Sequence, residues 1–508
     1  MAVRVQETET KYDAAADVGL PALDDLPRVA RASAPSDQEL KAEYFDTEDL
    51  RLIRAGITLR RRTGGSDAGW HLKLPAGLHT REEIRLPLGR AARQVPRQLA
   101  ELVSARTRAM PLQPVATITT RRRTITLLDQ AGESLAEVAD DNVVAHRQGH
   151  PGSDSRWREV EVELTGGDPD LLDAADELLR GAGLRPAGRS AKLERVLGSA
   201  LPEPAGDPSL TPQTPAYQVI TAYLKTQAEV LKSLDPMVRR REPDSVHQMR
   251  VATRRLRSAL RSFANAVSGS QTQHLADELQ WLGGVLGAAR DAEVQAARLQ
   301  QHVDRTDPAD LLGPVQERIA AHFGKAGTAA VAGVAAALSS DRYYALLDDL
   351  DATIANPPRG PDADAPAGHV LAAAVRRSYR KTGRRMRAAR QAQAGQHEDA
   401  ALHQARKAAK QARYAAEAVA PAIGSDAIRF ADRMKNVQTA LGEHQDTVVG
   451  RQLERELAIA AHQAGESAFS YGLFYARDAA DGRQLRARAR KAWKKAARRR
   501  DRRWLNAG

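Results

Sequence analysis

Cysteine is missing from the 508-residue chain altogether. That excludes a disulfide framework, a thiolate metal site and a cysteine nucleophile, and it fits a reducing compartment, with the cytoplasm as the expected location. Aromatic residues are 4% of the chain, too few for the row of stacking platforms that single-strand nucleic-acid binders use. Long apolar runs are missing too. The weakly polar AGTAAVAGVAAAL, from Ala326 to Leu338, is mostly alanine and glycine and falls short of the ~20 residues that span a bilayer. Met1 to Lys11 carries charges where a signal peptide would have its apolar core, so no secretion signal is expected. There is no GXXXXGK[ST], no GXGXXG, no GXSXG with triad partners and no HEXXH, which leaves P-loop, dinucleotide, hydrolase-elbow and zincin chemistry without support.

Charge, by contrast, is abundant and unevenly placed. Residues 1–210 hold 29 Lys+Arg against 33 Asp+Glu, and residues 211–508 hold 47 against 31, so the whole net charge of +12 comes from the second part. Such an excess suits a polyanion: nucleic acid, an anionic membrane or another phosphate-rich ligand. Between the parts runs LPEPAGDPSLTPQTP, Leu201 to Pro215, whose five prolines read as an extended linker. Upstream, VRVQETETKY, GITLRRR, WHLKLP, REEIRLPL, ATITTRRRTITLL and WREVEVEL alternate with period two between turn residues, as antiparallel strands do. Downstream, long Ala-, Leu- and Arg-rich stretches repeat at helical spacing. The expected fold is therefore multidomain α+β: an N-terminal antiparallel β tunnel barrel with flanking helices, over residues 1–200, and a C-terminal all-α region over 215–500. A linker (201–214) and a short tail (501–508) complete the expected division.

In the first strand Glu7, Glu9 and Lys11 share one face. The same alternation recurs: Arg60 with Arg62; Arg81 with Glu83 and Arg85; Arg121 with Arg123; and Glu159 with Glu161 and Glu163, opposite apolar Val160, Val162 and Leu164. On any one strand a charged face is normally the solvated one. Repeated around a closed barrel with helices outside, such faces would instead line an interior channel. Interior charge is tolerable when opposite signs pair or a ligand neutralises them, which suits hard cations on carboxylates and phosphates on Arg and Lys.

The ordered set EXEXK, LRRR, WHLKLP, REE, TRRR, EVADD, EVEVEL and SAKLER resembles the CYTH domain of the triphosphate tunnel metalloenzymes, which include thiamine triphosphatases, inorganic triphosphatases and class IV adenylyl cyclases. The resemblance implies a metal-dependent hydrolase, an inorganic triphosphatase in the first place, using Mg²⁺ or Mn²⁺. Lys11, Arg60, Arg62, Lys73, Arg121, Arg123 and Lys192 would hold the triphosphate. Glu7, Glu9, Glu161 and Glu163 would hold the metal, with Glu9 and Lys11 at the catalytic centre, and Glu83, Glu137, Asp141 and Glu159 would add to the acidic lining. A metal-activated water would attack the terminal phosphorus, so no side-chain nucleophile is needed.

The helical part contains one pattern twice. His247, Arg250, Arg254 and Arg257 recur as His403, Arg406, Lys410 and Arg413, each 156 residues later, and LGAARD (Leu286 to Asp291) recurs as LGEHQD (Leu441 to Asp446), 155 later. Steps of three and four stack each set into a basic stripe along one helix face, continued in the first copy by Arg261. A lone stripe is ordinarily a solvated face, but like charges without acidic partners repel, and here the stripe is duplicated. HXXRVXXRRLR, HXXRKXXKXXRY and the two LGXXXD motifs resemble the CHAD (conserved histidine α-helical) domain. That implies a duplicated pair of four-helix bundles whose groove binds inorganic polyphosphate, with proteins of this type found at polyphosphate granules. No specific nucleic acid and no transmembrane segment are expected, and the oligomeric state stays open. A non-catalytic, granule-associated polyphosphate binder is the alternative to the enzyme, with a cyclase acting on ATP as a third reading. The basic tail, Arg486 to Trp504, reads as added polyanion affinity, a membrane contact or a frayed helix end.

Overall fold

In the computed structural model, residues 3–77, 80–89, 94–108, 110–150, 152, 154–188, 191–201, 206 and 209–506 are described. The chain divides into two compact units, Met1–Gly206 and Asp207–Gly508. Of the expected linker, residues 202–205, 207 and 208 lie outside the described ones. Pro212 and Pro215 belong to the helical unit, where the Pro212 carbonyl accepts from the Gly368 N–H at 2.7 Å and Pro215 bridges to Pro366.

The first unit contains β1 (Val3–Ala14), β2 (Arg31–Ala32), β3 (Ser36–Asp46), α1 (Arg51–Arg54), β4 (Thr58–Thr63), β5 (Gly69–Pro75), β6 (Thr80–Leu86), α2 (Arg97–Thr107), β7 (Gln113–Leu128), β8 (Ser134–Arg147), β9 (Ser155–Leu164), α3 (Pro169–Gly181), β10 (Arg185–Pro186) and α4 (Lys192–Leu197). Eight strands form a closed antiparallel ring in the order β1-β6-β5-β4-β3-β7-β8-β9, with β2 added on β7 and β10 on β1. Closure falls to β1, which pairs Val3–Thr8 with β6 and Glu9–Ala14 with β9.

Alternation decides which face is buried where. Val138, Val160 and Val162 point outward and pack with Leu171, Leu172, Ala175 and Leu179 of α3. Leu59, Trp70, Leu72 and Ile84 likewise pack with Leu99 and Val103 of α2. These outer layers supply the apolar burial, at roughly 25 cal/mol per Å², that an ordinary barrel draws from its interior. At one end of the barrel, Ala42, Tyr44, Ile118, Val143 and Ala145 instead receive Leu193 and Leu197 of α4, so the short helix covers that end.

The second unit is all-helical: α5 (Ala216–Arg239), α6 (Ser245–Ser262), α7 (Ser270–Asp304), α8 (Val315–Leu338), α9 (Asp341–Ala355), α10 (Ala367–Gln391), α11 (Gln396–Ile423), α12 (Ser425–Gln463) and α13 (Phe469–Ala496), then a 3₁₀ turn Arg499–Asn506. Its two halves are related in the manner of a two-fold pair. The Ala216 N–H donates to the Ala365 carbonyl and the Ala367 N–H to the Thr214 carbonyl, both at 2.9 Å, so α5 and α10 begin by bonding to one another's leading strand. At the centre α6 packs on α11. The first half carries an additional break, because Ser340 caps α9 by accepting from the Tyr343 N–H, and both α8 and α9 pack on α7.

The basic tail is folded rather than frayed. Arg488 pairs with Glu443 at 2.7 Å and Arg490 with Glu398 at 3.0 Å, while Trp493 stacks on Tyr379 and buried Trp504 meets Phe430 edge-on.

Candidate functional site

The barrel encloses a cavity of about 430 Å³ lined by Glu7, Glu9, Lys11, Arg60, Arg62, Lys73, Glu161, Glu163 and Lys192 among others. Nine of the residues expected to hold the triphosphate and the metal, all but Arg121 and Arg123, line this cavity, and the register explains their arrival: Lys11 lies across from Glu161, and Glu9 from Glu163, on β1 and β9. Arg60 and Arg62 point inward because Leu59 between the apolar layers fixes the phase of β4.

Most charges inside are paired. Lys73 and Arg85 hold Glu7, Lys11 lies between Glu161 and Glu9 (3.2 Å to the latter), and Arg122 forks onto Asp141 at 2.8 and 2.6 Å and reaches Glu161 at 2.5 Å. Lys192, at the first turn of α4, contacts Asp141, Glu159 and Glu161 at 2.9, 2.6 and 2.8 Å. Burial disfavours these charges; at Lys11, Arg122, Asp141, Glu161 and Lys192 the partners outweigh it, whereas at Glu7 burial wins and the carboxyl is raised. Glu161 is therefore held well below the usual carboxylate range by Lys11, Lys192 and Arg122, and Lys192 well above the usual lysine range by Asp141 and Glu161. Glu9, buried beside Lys11, is likewise lowered.

Two groups stand out from this balance. Glu163 makes no ion pair among the described residues, and burial together with Glu7 and Glu9 pushes its carboxyl up to about 7. Arg62 touches Asp67, yet burial, followed by the charges of Arg60 and Arg122, pulls its guanidinium down to about 9. One cavity thus leaves one carboxylate, Glu163, short of a cation and one guanidinium, Arg62, under-neutralised.

Arg121 and Arg123 are a correction. Both are exposed on the outer face, with Arg123 on Asp37 at 3.1 Å, and the residue that turns inward is Arg122. Three consecutive arginines flanked by threonines offer no apolar residue to set the phase, so their spacing alone is compatible with either face. Of the expected metal ligands, Glu161 joins Asp141 and Glu159 in a buried trio whose oxygens lie within 4.8 Å of one another, with the Lys192 ammonium against all three. Glu7, Glu9 and Glu163 face the same cavity outside that trio. Glu163, uncompensated and beside Glu7 and Glu9, is the donor that fits a divalent ion. Glu83, His71, Tyr44 and Arg85 complete the wall: His71 bridges Glu83 and the Asp67 carbonyl, both at 2.9 Å, and the Tyr44 hydroxyl accepts from Arg60 at 3.4 Å. Glu137 lies at the exposed edge of the cavity.

In the helical unit the duplicated motifs prove to be contacts. Arg250 lies flat against Gly287 of α7, where an added Cβ would sit 3.3 Å from its guanidinium, and bonds Asp291 at 2.9 Å. Arg406 repeats this against Gly442 of α12, at 3.4 Å. Each LG motif thus seats the arginine of the facing stripe. Arg254 approaches the Tyr414 ring at 5.9 Å, and burial, followed by the charges of Arg250 and Arg406, lowers its pKa. The two stripes therefore converge at Arg250, Arg254 and Arg406. Lys410 has no ion pair among the described residues, Arg257 bonds Gln280, and Arg413 is drawn onto Glu417 at 2.6 Å. Burial and neighbouring cations lower the pKa of His247 and His403, and His403 Nδ1 lies 2.8 Å from Gln445 Oε1.

One part of this basic surface was not singled out. A cavity of about 280 Å³ is lined by Arg261, Arg377, Lys381 and Arg384 without an acid. The signal was available, since α10 carries eight basic residues and no acidic one.

The CYTH domain family matches residues 6–190 and the CHAD domain family residues 222–455. An uncharacterized protein of Mycobacterium tuberculosis (strain CDC 1551 / Oshkosh) is 40% identical over 486 residues, 93% of each chain, and its counterpart in strain H37Rv is similar to the same degree. Among solved structures, the CHAD domain of the plant Ricinus communis is 29% identical over 57% of this chain and 96% of its own, with a TM-score of 0.45. A putative adenylyl cyclase from Hippeastrum, described as having a dominant triphosphatase activity, is 14% identical over 39% of this chain and 97% of its own, with a TM-score of 0.24.

Proposed function

We propose that this chain, which belongs to the proteins joining a CYTH domain to a CHAD domain, hydrolyses inorganic triphosphate or a related triphosphate in its barrel and binds inorganic polyphosphate along its paired basic helices. The observation that carries the barrel reading is a double deficit in one cavity, with Glu163 in no ion pair among the described residues and Arg62 pulled down by burial and by Arg60 and Arg122. A metal-bound triphosphate supplies both at once.

The resting ion pairs then act as place-holders. When phosphoryl oxygens enter, the Lys11 ammonium exchanges Glu161 and Glu9 for them, and Lys73 exchanges Glu7, so positive charge is already positioned and dehydrated where negative charge arrives. Glu7, Glu9 and Glu163 become free to hold the cation. A bound Mg²⁺ or Mn²⁺ would neutralise phosphate oxygens and acidify its water. Arg60, Arg62 and Arg122 would orient the chain of phosphates for in-line attack.

The test is phosphate release from triphosphate, long-chain polyphosphate, thiamine triphosphate and ATP, with and without Mg²⁺ or Mn²⁺. Metal-dependent release from triphosphate that disappears in Glu9→Gln supports the reading. Full release in excess EDTA overturns it, and inactivity on every substrate favours a barrel that only grips chain ends.

A further inference from the structure

Apart from the tunnel and the groove, a third charged cluster lies inside the helical unit, on α7, α12 and α13. Glu454 and Asp478 are fully buried and His302 is 6% exposed. The His302 Nε2 lies 2.8 Å from Asp478 Oδ1 and 3.6 Å from Glu454 Oε1. Arg298 forks onto both oxygens of Asp478, its Nε donating to Oδ2 at 2.8 Å and its Nη2 to Oδ1. The walls are apolar: Leu299, Val303, Leu453, Leu457 and Phe474, the last stacked on the imidazole with centroids 5.3 Å apart.

Glu454 is the anomaly. Neither of its oxygens has a hydrogen-bond partner. Burial, followed by the nearby Asp478, pushes its carboxyl up to about 8. A buried carboxylate without donors must be neutralised, by a proton or by a cation. The backbone makes room for the arrangement, because a side chain at Gly450 would collide with Asp478 Oδ2.

We propose that His302, Glu454 and Asp478 bind a divalent transition-metal ion, Zn²⁺ or Mn²⁺, that ties α7 to α12 and α13. One donor atom from each lies within 4.8 Å of the others, and modest side-chain rotation brings three such atoms to the ~2.0–2.2 Å that Zn²⁺ takes from nitrogen and oxygen. An imidazole beside two carboxylates favours such an ion over Mg²⁺, which prefers oxygen and retained water. On binding, the Glu454 carboxyl proton leaves to solvent and the Nε2 proton facing Oδ1 passes to Nδ1, or to solvent where both ring nitrogens carry one, while Arg298 remains on Asp478 as the group that orients it. The site shares no residue with the polyphosphate stripes, so it would act on the stability of the helical unit rather than on its ligand.

The test uses the full chain stripped with chelator and reloaded with Zn²⁺ or Mn²⁺. Because the barrel is also expected to take metal, the measurements are made in the Glu9→Gln background. The expected result is one tightly held ion per chain by elemental analysis and a metal-dependent rise in melting temperature, both lost in Glu9→Gln/Glu454→Gln. Cobalt loading of the Glu9→Gln protein, with the helical unit unaltered, should give a visible absorption band of a low-coordinate site, which keeps the proposal open to test if Glu454→Gln does not fold. No retained ion and no cobalt band in Glu9→Gln overturns the proposal. So does retention of the ion after Glu454→Gln, or a Glu454→Gln variant that is simply more stable with no metal effect in the parent, which would mean that a proton neutralises the carboxyl.

Discussion

In the tunnel, Lys11, Lys73, Arg122 and Lys192 each touch at least one carboxylate, whereas in the groove Arg254 meets a tyrosine ring and two other arginines, and Lys410 has no acidic partner among the described residues. The same residue types thus perform two electrostatic tasks. A closed barrel cannot bury one sign of charge alone, so its cations are stored on carboxylates that can pass to a metal when a phosphate arrives. A partly open helix surface is screened by water, so its cations can remain unsatisfied and wait for a polymer. The tunnel should therefore depend on metal and side-chain placement, and the groove on charge density and salt.

The strongest test of the tunnel side is the inward and outward arginines of β7. Arg122→Ala should lower phosphate release by roughly 100-fold or more, the usual scale for losing one preorganised charge from a transition state, while Arg121→Ala and Arg123→Ala should leave it within about twofold. Equal losses in all three would mean that the strand phase is not what selects the site.

For the groove, reversing Arg250 and Arg254 to Glu should weaken polyphosphate binding by well over tenfold, with a similar loss for Arg406 and Lys410. Affinity should fall steeply with salt, because counterions are released on association. Replacing Arg498, Arg499 and Arg500 by Gln should matter less; deleting the tail is not a clean control, since Trp504 and Leu505 are buried. Binding that follows the tail rather than the stripes would move the polyanion site.

A smaller effect separates the two regions by pH. The folded carboxyl of Glu163 lies near 7, above its ordinary 4.5. The folded barrel then holds a proton that the unfolded chain releases, so the Glu163 contribution to metal-free stability is fully present below about 4.5 and is lost as pH rises through about 7. Melting curves with and without Mg²⁺ check this: the ion should flatten the slope, and Glu163→Gln should remove it.

The smallest expected change concerns Gly287 and Gly442. Alanine at either position should leave melting unchanged or slightly raised, since alanine favours helix by up to ~1 kcal/mol over glycine, while polyphosphate affinity drops a few-fold as Arg250 or Arg406 is pushed off its seat. A fall in stability with affinity intact would make these glycines packing residues only.

What could be read from the chain followed periodicity. Val160, Val162 and Leu164 alternate with Glu159, Glu161 and Glu163, and that pattern alone orients β9. Leu59 does the same for Arg60 and Arg62. The helical repeat was legible because His247 and His403 head identical spacings. Where the signal was symmetric it failed: Arg121, Arg122 and Arg123 have no apolar neighbour to mark a face, and the acids of β8 and β9 carry no sign of which will meet Lys192. The eight cations of α10 were present but lacked the motif that drew attention to α6 and α11.

The sequence by itself determined the two-part architecture, the alternation of charged and apolar faces and the duplication, because each is a local period set by backbone geometry. Only the tertiary structure decided that Arg122 rather than its neighbours enters the tunnel, that Glu163 is left without a cation, that Gly287 and Gly442 seat Arg250 and Arg406, and that His302, Glu454 and Asp478 meet in an apolar core. Those facts depend on which distant strands and helices share an interface, and the free energy of a buried charge is set by its neighbours in space, not by its neighbours in the chain.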